Sequence, residues 1–242
     1  MTDFLFSLKE RKLIAEETMA FIIDTSGNEY SFKAGQYADF TLENPSQTDS
    51  EGNTRAFSIA SPPQSKGTIM FATRMRSTAF KNELKKMPLG AKIKVSQAMG
   101  SFTLHSDSSR PAVFLSGGIG ITPVRSIIET ATLEKKPHKI FLFYSNRTPA
   151  ATAFLPDLEN WQKQNKNFKM FATITDIEDS KWKYLKGRID FAMLEKNVPK
   201  LKESNPIFYI SGPPAMVAGL QKLLTDNGIN EDNIRAEEFA GY

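Results

Sequence analysis

The stretch LSGGIGITPVRSII, residues 115–128, places three glycines and a Thr-Pro pair between a compact apolar run, AVFLS, and an apolar-periodic segment that continues to about Leu133. The order reads as strand, tight turn, helix. Gly117, Gly118 and Gly120 let the chain turn sharply and let an anion approach backbone amides at a helix N-terminus. Thr122 adds a hydroxyl, and Pro123 suits the first helical turn. The spacing is not G-x-G-x-x-G, so on its own it reads equally as a structural turn.

Downstream, strand and helix patterns alternate: KIFLFYS, AFLPDLENWQKQ, FKMFATIT, a helix around IDFAMLEKNV, PIFYISG, AMVAGLQKLLTDNG and a last strand near IRAEEF. Alternation of this kind implies a parallel sheet with helices on both faces. Upstream the pattern differs. KLIAEETMAFIID, EYSFKAGQYADFTLE, RAFSIAS, GTIMFATRM and AKIKVSQ read as short strands separated by turn signals, which predicts an antiparallel β-barrel. One exception is STAFKNELKKM, residues 77–87, where Phe80, Leu84 and Met87 recur at helical spacing behind a Ser-Thr cap. The polar stretch HSDSSRP parts the two patterns, so domains are expected at residues 1–106 and 107–242.

The chain has 242 residues and no cysteine, which excludes disulfides, thiolate metal sites and Cys-held iron-sulfur clusters. Any redox chemistry must then use an organic cofactor. His105 and His138 are the only histidines and have no carboxylate cluster beside them, so no metal site or Ser-His-Asp triad is expected; both read as surface or strand-edge residues. The net charge of +4 is spread among interleaved acids, which is not a nucleic-acid signature; it suits an acidic partner or a phosphorylated ligand, and solubility alone accounts for it as well. No apolar run reaches the ~20 residues that cross a bilayer. The start MTDFLFSLKERK puts apolar residues before charges, the reverse of a secretory signal, so a cytoplasmic protein without membrane insertion is expected.

Two further stretches carry chemistry. FYISGPPAMVAGL, residues 208–220, is again a buried-looking strand ending in small residues and entering a helix, and two such strand ends in one sheet make a crevice for a dinucleotide. RAFSIAS, residues 55–61, sets Arg55 and Phe57 on one face of a strand and Ala56 and Ser58 on the other. Such a strand suits a flat ring with a phosphate at one end, or, read alone, an ordinary barrel strand.

RAFS, GGIGITP, YISGPPAM and an acidic-aromatic C-terminus, in this order along essentially the whole chain, resemble the ferredoxin-NADP reductase family of flavoproteins. The resemblance implies an N-terminal Greek-key barrel for FAD and a Rossmann-like α/β domain for NADPH or NADH, with hydride passing between the two cofactors. By the same resemblance Arg55 pairs the FAD pyrophosphate, Phe57 packs on the isoalloxazine, Ser58 hydrogen-bonds near the reacting nitrogen, and Ala56 belongs to the same cofactor site. Phe57 stands where relatives often have tyrosine. Phe71, Ala72, Thr73 and Arg74 would line the flavin edge, and Ser77 and Thr78 would meet the pyrophosphate, although the family's glycine before them is missing.

Gly118, Gly120 and Thr122 would hold the nucleotide, with Gly212, Pro213 and Met216 on the nicotinamide side and Ser211 near the hydride path where many relatives have cysteine. Ser145 and Arg147 match the position where NADPH users place a serine and an arginine, which favours NADPH over NADH. Glu237 would help deliver a proton, with Glu238 as its rival; Phe239 would shield the flavin, and Tyr242 would lie nearby. The implied activity is an FAD-dependent NAD(P)H oxidoreductase exchanging electrons with a separate carrier: a ferredoxin, a flavodoxin or an oxygenase component. The alternatives are a flavin-binding regulatory or electron-transfer subunit without independent turnover, and a nucleotide-binding domain with no flavin.

Overall fold

Alternation of apolar and polar residues builds the first half. In the computed structural model, which describes residues 3–176 and 181–239, six strands pair antiparallel: β1 (Phe4–Ala15), β2 (Thr18–Asp24), β3 (Tyr37–Leu42), β4 (Thr54–Ser58), β5 (Thr68–Arg74) and β6 (Lys92–Val95). Their order is β4-β3-β6-β1-β2-β5. The two edges meet where the Ala60 amide donates to Met70 O at 2.6 Å and the Met70 amide donates to Ser61 Oγ at 2.9 Å, which closes the barrel. On β3, Ala38, Phe40 and Leu42 face the core while Tyr37, Asp39 and Thr41 face outward, the period of two that a half-buried strand requires. Helix α1 (Ala79–Lys86), N-capped by Thr78, puts Phe80 and Leu84 into the same core.

Two strand expectations need correction. KLIAEETMAFIID is not one run but parts of β1 and β2, a hairpin in which Ala15 pairs Thr18 and Glu17 takes φ 51. Of EYSFKAGQYADFTLE, only β3 is strand, and β1 begins earlier than expected, at Phe4.

The second half alternates as its sequence requires: β7 (Ala112–Gly117), α2 (Ile121–Leu133), β8 (Ile140–Asn146), α3 (Leu155–Gln164), β9 (Phe168–Ile174), β10 (Leu185–Lys186), α4 (Phe191–Asn197), β11 (Ile207–Gly212), α5 (Pro214–Asp226) and β12 (Ile234–Glu238). All pair parallel in the order β10-β9-β8-β7-β11-β12, so the winding reverses between β7 and β11. Alternate strand residues serve the two faces. Phe114, Leu142 and Tyr144 pack with α2 and α3, while Val113, Leu115, Phe143 and Ile210 pack with α4 and α5. The α2 layer also takes in Ala60, Met70 and Phe102 of the barrel, so this helix is packed between the two sheets. Strand β10 was not expected; at two residues it is too short for any period to show.

The histidines are a further correction. His105 and His138 are buried at 9% and 5% exposure, not on the surface, with ring centroids 5.0 Å apart. Among the described residues, no helix is long and apolar enough to cross a membrane.

Candidate functional site

At the carboxyl end of β7 the chain must turn into α2 within a few residues. Gly118 takes φ 54 there, and its carbonyl accepts from the Tyr144 hydroxyl at 3.1 Å. Gly120 does something else. A Cβ on it would lie 2.4 Å from Ser211 O and 2.7 Å from the Gly212 amide, so its lack of a side chain lets the turn rest on the end of β11. The β7 and β11 ends flank the point where strand order reverses, the place where open parallel sheets bind ligands.

A cavity of about 580 Å³ opens between this turn and the barrel. Arg55, Ala56, Phe57 and Ser58 from β4 line it, with Ala72, Thr73 and Arg74 from β5, and Thr78 and Lys81 at the start of α1. Ile119 and Thr122 enter from the glycine turn, and Glu237, Glu238 and Phe239 from the end of β12. The Phe57 ring stacks on Phe71 at 4.7 Å, which fixes its plane along one wall. Residues from three distant stretches of sequence therefore share one space.

The electrostatics of its two ends differ. Arg55 Nη2 meets Asp49 at 2.5 Å and Arg55 Nε meets Glu51 at 3.0 Å, while its Nη1 donates to the carbonyls of Glu51, Gly52 and Thr54, so each guanidinium nitrogen has an oxygen partner. The Arg55 contact holds the Asp49 carboxyl below its usual range. Nearby, burial lowers the Lys81 ammonium, helped by the charges of Arg76 and Arg55. At the other end, the Glu237 carboxyl is pushed up to about 7 by burial, and its Oε2 is buried without a hydrogen-bond partner. Glu238, its neighbour, is exposed.

A second cavity of about 470 Å³ lies over the sheet's carboxyl edge, lined by Ser145, Thr175, Arg188, Ile189, Pro213 and Met216, among others. The Met216 sulfur rests over Gly117, where a Cβ would meet it at 2.2 Å.

The model for the oxidoreductase NAD-binding domain matches residues 114–222. Reductase component 2 of terephthalate 1,2-dioxygenase from Comamonas sp is 26% identical over 215 residues, covering 88% of this chain and 61% of that protein. One component of the Na(+)-translocating NADH-quinone reductase of Serratia proteamaculans is 28% identical over 222 residues, covering 86% of this chain and 54% of that protein. The chain thus spans roughly half to three fifths of the length of these curated relatives. Among solved structures, ferredoxin-NADP+ reductase of Plasmodium falciparum superposes with a TM-score of 0.79 at 14% identity, covering 98% of this chain and 96% of that one. An Amycolatopsis cytochrome P450 reductase gives 0.83 at 22% identity, covering 98% and 70%. Together these matches make the chain similar to ferredoxin-NADP reductase-like proteins.

The residues that the family resemblance singled out divide into three groups. Arg55, Ala56, Phe57, Ser58, Ala72, Thr73, Arg74, Thr78, Thr122, Glu237 and Phe239 meet in the first cavity, and Ser145, Pro213 and Met216 in the second. Phe71 is fully buried behind Phe57; exposed Ser77 lies at the cap and accepts from Asn82 Nδ2 at 3.4 Å. Gly118, Gly120 and Gly212 shape the turn and the β11 end. Ser211 is fully buried, its hydroxyl 3.4 Å from Ser116 Oγ, and Thr122 donates to Ile119 O at 3.1 Å. Arg147 is exposed and outside the second cavity, where Arg188 stands instead. Tyr242 lies outside the described residues.

Sequence reasoning missed Tyr37, Lys81, Ile119 and Arg188. Tyr37 pairs Ser58 across the β3–β4 hairpin, a register that alternation alone does not reveal. Lys81 was within reach of the reading, since it lies in the first turn after the Thr78 cap.

Proposed function

We propose that the chain is an FAD-dependent reductase that exchanges hydride with NAD(P)H and electrons with a separate carrier. The single observation that carries this reading is the first cavity, where cationic and aromatic walls from the barrel meet the N-terminal turn of α2 and the buried carboxyl at the end of β12. Its residues fit the cofactor. Arg55 and Lys81 offer cations, Phe57 a flat apolar wall, and Glu237 a carboxyl whose buried Oε2 has no hydrogen-bond partner, which is costly to leave unmet. When bound, the flavin supplies the step from two-electron hydride exchange to one-electron transfer.

The chain's own residues bind, orient and exclude water. Arg55 pairs a pyrophosphate, exchanging exposed Glu51 for a phosphate oxygen. Thr78 caps α1 and keeps its hydroxyl beside that site, and Ser58 orients a polar ring edge. Glu237 holds a proton at its carboxyl near neutral pH, and Phe239 covers the opening from the β12 side. Buried Ser211 acts by packing β11 on β7, and the nucleotide's reacting end lies beside the Gly118 turn. The proposed division of labour follows residues 1–106 and 107–242, supported by the end of β6 at Val95 and the start of β7 at Ala112.

For the adenosine end we place Ser145 with Arg188, which share a cavity, ahead of Ser145 with Arg147. An arginine beside a serine favours NADPH. The carrier is a ferredoxin, a flavodoxin or an oxygenase component; two relatives named above are a dioxygenase reductase component and a P450 reductase. The proposed location is the cytoplasm. Titrating flavin-stripped protein with FAD and with FMN tests the reading. One FAD should bind, and Arg55→Ala should weaken it by about tenfold or more, the usual cost of a lost charge-assisted contact. No uptake of either flavin would overturn the proposal.

A further inference from the structure

Arg125 makes directed contacts on every side and stands outside the two cavities. It sits on α2 at 8% exposure. Its Nη1 donates to Ala60 O at 2.8 Å and meets Glu129 at 2.7 Å; its Nη2 meets Asp157 at 2.9 Å. The guanidinium lies over two aromatic rings, with its carbon 4.8 Å from the Phe154 centroid and 4.9 Å from that of Trp161. Phe154 holds φ 59, a left-handed conformation unusual for a bulky residue, at the start of α3. One side chain thus joins the barrel, α2 and α3.

The contact continues along the helix. Ser126 Oγ donates to Ser61 O at 2.7 Å, Thr130 Oγ1 reaches Gln64 Oε1 at 3.4 Å, and the Gln64 amide donates to Glu134. All of these act on residues 60–64, the segment that leaves β4 just after Ser58 and contains Pro62 and Pro63. The same segment closes the barrel onto Met70. At the other end, α2 begins directly after the glycine turn, and Thr122, one turn before Arg125, lines the cavity. The seam is therefore short and stiff at both ends. Apolar packing alone would hold the sheets together but tolerate sliding; a planar, stacked guanidinium with directed hydrogen bonds does not.

We propose that Arg125 is a positioning residue that fixes the offset between the β4 exit and the N-terminus of α2, and so the alignment of the two bound cofactors. The inference rests on the function proposed above. Its loss should leave each cofactor bound yet misaligned, and a displacement of about 1 Å costs on the order of 100-fold in a transfer step.

The test is anaerobic single-turnover reduction of FAD-loaded protein at saturating NAD(P)H, in wild type and in Arg125→Met, Arg125→Lys and Ser126→Ala, alongside FAD content and the Kd of oxidised nucleotide. We expect Arg125→Met to keep FAD and oxidised-nucleotide binding within about threefold while its limiting reduction rate falls roughly 10- to 100-fold, the range set by misplacement. Arg125→Lys should recover part of the rate, and Ser126→Ala should lose a smaller part. A loaded Arg125→Met reduced at the wild-type rate overturns the inference, as does a loss that more nucleotide restores. If Arg125→Met does not fold, unchanged limiting rates in both Arg125→Lys and Ser126→Ala overturn it. A wild type that takes up no flavin defeats the proposed function itself, and this inference with it.

Discussion

Glu237 is the residue whose chemistry is most open to measurement. Burial raises its carboxyl to about 7, so the folded protein holds a proton there that the unfolded chain, at the ordinary 4.5, has already released. The fold binds more protons between those values, and stability attributable to this group falls as pH rises from about 4.5 to 7. We therefore expect Glu237→Gln to be near neutral at pH 4.5 and stabilising above pH 7, on the order of 3 kcal/mol for a shift of this size, as read by urea denaturation at both pH values. An equal effect at both would contradict the assignment. The sequence offers Glu237 and Glu238 as neighbouring carboxylates, and only burial distinguishes them. That Arg188 shares a cavity with Ser145 was not readable, because it arrives through the short pairing of β10 with β9.

The glycine turn between β7 and α2 was placed correctly from composition and periodicity, yet the work of its glycines differs from one to the next. Gly118 supplies a left-handed residue, and Gly120 permits backbone-on-backbone contact with β11. Gly120→Ala would force its methyl to 2.4 Å from Ser211 O, a contact that must push β11 away. We expect a loss of about 2 kcal/mol or more, within the range for overpacking, with flavin and nucleotide sites both disturbed because β11 leads into Gly212 on one side and pairs β12, which carries Glu237, on the other. A thermal melt checks it; an unchanged Tm would mean that β11 yields without cost. Helices and strands of ordinary length were legible because their periods repeat. The β1–β2 hairpin was not, because Glu16 and Glu17 turn the chain without glycine or proline.

The fold of the whole chain was visible in the change of pattern near residue 107, since antiparallel alternation and strand-helix alternation bury their apolar residues differently. How the two sheets are joined was not visible, because the apolar contacts of α2 with Ala60, Met70 and Phe102 and the polar contacts of Arg125, Ser126 and Thr130 come from separate stretches with no common period. His105, in its neutral form, donates from Nε2 to Arg110 O at 3.0 Å and keeps Nδ1 for the Tyr209 hydroxyl at 2.9 Å, while His138 Nε2 donates to His105 O at 2.9 Å. Burial lowers both histidines, opposed by these backbone contacts; Arg110 and Arg235 add to the lowering at His105, and Lys136 adds to it at His138. Folded values below the usual 6.5 mean that the unfolded chain takes up protons first as pH falls. Stability from this pair should be full above pH 6.5 and decline below it, and His138→Gln should flatten the decline between pH 7.5 and 5 in denaturant melts. A decline of the same slope in that variant would show that other groups cause it.

A flavin in the cavity between the sheets, within reach of a nucleotide at the β7 turn, would declare itself by colour. The decisive measurement is the visible absorption spectrum of the purified protein, supplied with FAD and held without oxygen, before and after NADPH or NADH. We expect a flavin spectrum that bleaches on adding nucleotide, faster with NADPH. A colourless protein, or a yellow one that neither nucleotide bleaches, would contradict this reading of the cavity.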